Sequence, residues 1–174
     1  IRTSTTVIQR LIMSHHSMTH KIESALFALL LAAISVYGWV HLRPYMDGYE
    51  RAILPLAGIV IGTIGYFWRG WRYCISAALL MAGFAIMQYP DLAAAQSRFL
   101  LKYLLASQQS ILWMSTFFAL ALILYWVDLL KNHKSSTTTG FAASIASRFA
   151  WIATAFGLSA MLVRWYETYL VTPG

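Results

Sequence analysis

YLLASQQSILWMSTFFALALILYWV, Tyr103 to Val127, runs 25 residues without Asp, Glu, Lys or Arg. About 20 predominantly apolar residues in a helix cross ~30 Å of hydrocarbon, so this stretch predicts a membrane span that enters from the interface before crossing. A barrel strand would alternate every second residue; here the apolar residues lie all round, which predicts a helix. Working outward, the pattern recurs. Ser24–Leu42 gives 19 residues free of those charges, Ala52–Trp68 gives 17, and Tyr73–Pro90 gives 18. Phe149–Val163 gives 15 and reaches spanning length only by continuing through Arg164 and Glu167 towards Leu170. The predicted architecture is an all-α integral membrane helical bundle. It has a leader at 1–23, spans at about 24–42, 52–68, 73–90, 107–127 and 149–170, and a short outer interfacial helix.

Composition agrees with that reading. Of 174 residues, 59% are apolar or aromatic and 11% charged, less than half the ~25% of a soluble domain. The aromatic content excludes disorder, and Cys74 has no partner in the chain, which excludes a disulfide scaffold. Thirteen basic against six acidic residues give +7. In a membrane protein this points to basic cytoplasmic loops and not to nucleic-acid binding. Ile1 in place of Met, and the closing Val-Thr-Pro-Gly of 171–174, lead us to expect a piece of a longer reading frame whose outer segment has just begun.

Loop charges predict orientation. Arg2, Arg10, Lys21, Arg69, Arg72, Lys131, Lys134 and Arg148 fall on one side; Arg43, Arg51, Arg98, Lys102 and Arg164 fall on the other. The richer side is expected in the cytoplasm, with the C-terminus outside. Trp39, Trp68, Trp71, Trp126 and Trp165 sit near predicted helix ends, as interfacial anchors do. Between the third and fourth spans, Leu92, Ala95, Phe99, Tyr103 and Ala106 share a helical face, with Gln96, Arg98 and Lys102 off its centre and Asp91 as N-cap. This is either a helix lying in the outer interface or an extension of span four. Tyr45–Glu50 reads as an outer turn with a tight Asp-Gly bend, and Ser135–Gly140 as a flexible cytoplasmic linker.

No catalytic constellation is expected. A bundle-held haem needs axial ligands from facing helices at membrane depth, and no histidine is predicted there. His15, His16, His20 and His133 fall in cytoplasmic segments. His15, His16 and His20 contain an i, i+4 pair able to bind a metal if helical, but a solvated leader fits them better, so no metal site is expected. His41, with Arg43, lies at the outer end of span one. It is a candidate for contact with haem iron or a propionate, or else a residue bonded to headgroups. Gly58 and Gly62, with Gly65 beyond, form a small-xxx-small packing pattern, and Cys74 reads as an apolar filler. Arg164 and Glu167 are three residues apart on one face. Either they anchor the outer end of span five in a polar cavity, or both snorkel to the interface.

Three blocks carry a resemblance: Tyr45-Met-Asp-Gly-Tyr-Glu-Arg-Ala-Ile-Leu54, Phe99-Leu-Leu-Lys-Tyr-Leu-Leu-Ala-Ser-Gln-Gln-Ser-Ile-Leu-Trp-Met-Ser115 and Val163-Arg-Trp-Tyr-Glu-Thr-Tyr-Leu170. In wording and order they resemble the N-terminal half of the CcsA (ResC) family of system II cytochrome c biogenesis, from about Tyr45 onward. The resemblance implies a bacterial inner-membrane protein that works with a CcsB (ResB) partner. Together they present haem at the outer face to the Cys-x-x-Cys-His motif of apocytochrome c, as part of a cytochrome c synthetase complex. The family's Trp-rich haem-handling segment follows a stretch like Arg164–Leu170. It would therefore lie beyond Gly174, and this chain, not catalytic alone, is expected to bind no haem itself. His41 and Arg164 remain the weak candidates for haem contact. The alternative is a non-catalytic integral subunit of a respiratory or photosynthetic complex. A transporter fits least, because the spans show neither a broken helix nor a buried charge.

Overall fold

The computed structural model describes residues 2–43, 46–132 and 140–171, with side chains described for 21–41, 43, 46–131 and 140–171. The chain is all-α, with no strand among the described residues. The helices are α1 (Arg2–Leu42), α2 (Gly48–Phe67), α3 (Arg69–Met87), the single turn α4 (Ala94–Ser97), α5 (Ser107–Asn132) and α6 (Phe141–Val171), with a π-helical turn over Leu101–Leu105 before α5. All but α4 are long and apolar enough to cross a membrane, which makes this a multi-pass protein in contact with lipid.

The helices overrun the charge-free stretches. α1 is one 41-residue helix that includes most of the predicted leader. α2 starts at Gly48 because Asp47, extended at φ −69° and ψ 168°, is its N-cap, and Glu50 Oε2 accepts the Asp47 N–H at 3.2 Å. The tight Asp-Gly turn expected here is therefore a helix start. α5 runs on through Asp128 and Lys131, and α6 begins seven residues before Arg148. Charged residues in a first or last turn reach the interface, so they end a hydropathy run without ending a helix. The linker 135–139, His133, Tyr45, the side chains of His15, His16 and His20, and residues 172–174 lie outside the described residues.

The chain divides into two compact units, Ile1–Arg72 and Tyr73–Gly174. In the first, α1 and α2 pack antiparallel. A Cβ on Gly58 would lie 3.3 Å from Ser35 Oγ and one on Gly62 would lie 3.4 Å from Leu31 Cδ2, while one on Gly65 would overlap the Phe27 ring. Residues 58, 62 and 65 thus meet 35, 31 and 27 in descending order, and the small residues let the backbones approach. The hairpin is closed at one end by Arg69, whose Nε and Nη2 donate to Glu23 Oε2 and Oε1 at 3.0 and 2.6 Å, and by Arg72, whose Nη1 donates to Ser24 Oγ at 2.5 Å.

In the second unit α5 and α6 pack antiparallel along their length. Phe117 stacks on Phe156 and lies tilted against Phe149, and Gly157 leaves room for the Met114 thioether. Ala82, Ala85, Tyr89, Ala94, Leu101, Leu105 and Val163 form the buried core. Hydroxyls on the spans turn back on their own helices: Thr63, Ser115, Thr116 and Thr154 each donate to the carbonyl four residues earlier at 2.8–3.0 Å. A polar side chain is satisfied in this way without a partner helix.

Candidate functional site

The buried face of α6 repeats every seven residues. Ala146, Ala153 and Ala160 are 0, 0 and 2% exposed, and the next position in the series is Glu167 at 8%. A seven-residue step is close to two helical turns and keeps one seam facing a neighbour. The sequence therefore sets a carboxylate where the seam would continue with a small apolar residue. An ionised group there must be saturated by donors or it costs several kcal/mol.

The donors come from three places. Tyr89, two residues past the end of α3, donates its hydroxyl to Glu167 Oε1 at 2.8 Å. Ser107, the first residue of α5, donates its hydroxyl to Oε2 at 2.7 Å and its backbone N–H to Oε1 at 3.4 Å. Arg164 Nη1 donates to Oε2 at 3.3 Å. A carboxylate offers about four lone-pair sites, and here all four are used. The carboxylate also lies at the N-terminus of α5, where a free backbone N–H and the helix dipole favour negative charge. Burial, and after it the hydrogen bond to Glu167, pushes the Tyr89 phenol above its ordinary value, so it stays protonated and remains a donor.

Local breaks in the chain put Ser107 in place. Asp91 Oδ1 accepts the Ala94 N–H at 2.9 Å in the turn before α4, but the N-cap of α4 is Ala93 and not the Asp91 read from sequence. The chain breaks at Arg98 and again at Ala106, where ψ is 147°. The carbonyls released at the second break are taken up by α5: the Ser110 hydroxyl donates to Leu104 O at 3.0 Å and Trp113 Nε1 to Tyr103 O at 2.9 Å. Leu101, Leu105 and Ala106 turn inward, while Leu92, Phe99 and Tyr103 stay exposed. Of the face expected over 91–106, Ala95 and Ala106 turn inward and Leu92, Phe99 and Tyr103 do not, because the segment is neither one interfacial helix nor a plain extension of α5.

Arg164 and Glu167 do form a pair, and they divide the two readings between them. The Arg164 side chain is 66% exposed, whereas that of Glu167 is 10% exposed. The arginine reaches out while the carboxylate is anchored. A buried charge and a broken entry to α5 are therefore present, contrary to the grounds for ranking a transporter last. A single carboxylate with all its acceptor sites filled still offers neither a relay nor an open binding position. Chemically it is a clamp: it fixes the end of α3, the start of α5 and the end of α6 relative to one another.

His41 is exposed, stacks on Tyr37 with ring centroids 4.2 Å apart, and its Nδ1 lies 3.2 Å from Tyr37 O, one turn back. Gly58 and Gly62 face α1 as described above. Cys74 is buried, with its Sγ 3.7 Å from Trp151 O. No group of three or more metal-ligating side chains occurs among the described residues. Tyr89, Ser107 and Glu23 were missed in the sequence. Ser107 had a usable signal, a serine at the start of the predicted span 107–127. Tyr89 had none beyond its place before Pro90-Asp91. Set against family models, curated proteins and solved structures, the chain matches none.

Proposed function

We propose that this chain is the scaffold part of a membrane haem handler for c-type cytochrome assembly. In this reading it sits in a bacterial inner membrane with its N-terminus in the cytoplasm and its C-terminus in the periplasm. It works there with a CcsB/ResB-like partner and an apocytochrome c. The observation that carries the reading is the contact between Ser107 and Glu167. These residues belong to the second and third blocks of the family resemblance, sixty residues apart, and what the two blocks have in common is this clamp. Haem attachment at an outer face requires a fixed platform, and a saturated buried carboxylate fixes three chain segments at once.

The test is covalent haem on a reporter apocytochrome c in cells carrying the natural gene, its deletion, or Glu167→Ala. Loss of attached haem on deletion, and a marked loss with Glu167→Ala, is the expected result. Attachment unchanged by deletion overturns the reading in favour of a non-catalytic complex subunit. Two further outcomes follow from the same proposal. Reporters inserted at 135–140 should report the cytoplasm and those fused after 171 the periplasm; the reverse rejects the orientation. The purified 174-residue chain should bind no stoichiometric haem, and a six-coordinate haem spectrum contradicts that expectation.

A further inference from the structure

Along one side of the α1–α2 hairpin runs an open cleft of about 390 Å³, lined by Ser24, Phe27, Leu31 and Ser35 of α1 and by Pro55 and Ile59 of α2, with Arg72 at one end. Every other lining residue is uncharged, and Arg72 itself is 3% exposed. From Ser24 to Ser35 the groove follows eleven residues of α1, or ~16 Å at 1.5 Å per residue. That is about half of the ~30 Å hydrocarbon thickness, the depth of one leaflet. At the Arg72 end Arg69 is neutralised by Glu23, so Arg72 leaves a net positive charge where the apolar trough ends.

We infer that this cleft holds one acyl chain of an anionic phospholipid, with its phosphate at the Arg72 end. The lined stretch of α1, Ser24 to Ser35, matches the length of an acyl chain lying within one leaflet. The charge selects the headgroup: each basic residue near a membrane surface favours an anionic over a neutral lipid by about fivefold. The polar closure of the hairpin, Arg69 on Glu23 and Arg72 on Ser24, positions the cationic end whether or not lipid is bound.

The test is native mass spectrometry of the full chain released from vesicles containing equal phosphatidylglycerol and phosphatidylcholine. The wild type is expected to retain one phosphatidylglycerol per chain. Arg72→Gln should lower the preference for phosphatidylglycerol over phosphatidylcholine by about fivefold. Ala32→Phe fills the trough from a lining position and should abolish retention of either lipid, whereas Ala33→Phe, exposed but outside the lining, should leave it intact. Circular dichroism establishes that each variant is folded, and Ala32→Phe keeps the test decisive if Arg72→Gln is not. Equal retention of the two lipids by the wild type, retention unchanged in Ala32→Phe, or a lipid-free dimer that Ala32→Phe dissociates overturns the inference.

Discussion

The α1–α2 hairpin and the α5–α6 pair are both antiparallel helix pairs, yet they are held by opposite means. In the hairpin, glycines bring backbones together and the charges sit at its end. In the α5–α6 unit, alanines form the seam and a charge sits inside it. The apolar windows of α1 and α2 are 11% and 6% buried; in the second unit that of α5 is also 11% buried, whereas those of α3 and α6 are 33% and 28% buried. The hairpin leaves most of its apolar surface to lipid. The second unit builds its own core and uses a carboxylate to specify which chain segments meet there. Without a hydrophobic drive between helices in lipid, close approach and hydrogen bonding are the two routes to association, and each unit relies mainly on one.

The largest expected effect breaks the second unit. Glu167→Ala removes the acceptor for Tyr89 and Ser107 and should cost about 2–4 kcal/mol, since buried donors are left unsatisfied. Glu167→Gln keeps one acceptor oxygen and should cost less. Reversible denaturation in mixed micelles reads both, and equal losses would mean that the hydrogen bonds carry none of the effect. Next comes Gly65→Ala in the hairpin, where the new methyl overlaps the Phe27 ring and should cost about 1–3 kcal/mol by overpacking.

Gly62→Ala sharpens the comparison. Its methyl only touches Leu31, and the gain in helix propensity of up to about 1 kcal/mol should leave stability unchanged or improved, whereas Gly62→Ile should loosen the pair. If all three substitutions melt alike in detergent, the glycines are not the points of close approach. The smallest effect belongs to Arg69→Gln. Its pair with Glu23 is partly exposed, so about 0.2–1 kcal/mol is expected, less at high salt. A salt-independent loss would place that pair deeper than its exposure indicates.

The sequence made the spans legible because apolar composition alone decides where a helix crosses lipid. It misplaced their ends because Tyr49, Glu50 and Arg51, or Asp128 and Lys131, belong to terminal turns that extend past the hydrocarbon. Arg164 with Glu167 was legible from a spacing of three. Tyr89 and Ser107 lie seventy-eight and sixty residues from Glu167, and no local periodicity encodes a contact at that range. The face over 91–106 was legible only in part because the chain breaks twice there, and the second break is supported by hydrogen bonds from Ser110 and Trp113 that only the folded α5 supplies. The seven-residue series Ala146, Ala153, Ala160, Glu167 was present in the sequence and marks the carboxylate as a seam position.

The clamp itself is tested most directly by a double-mutant cycle between Ser107→Ala and Glu167→Gln, read as unfolding free energy in lipid bicelles. Residues sharing a buried hydrogen bond should couple by about 1 kcal/mol or more, so the double variant should lose less than the two singles added together. Losses that simply add would show that Ser107 and Glu167 do not act on one another, and the platform built on their contact would fall with them.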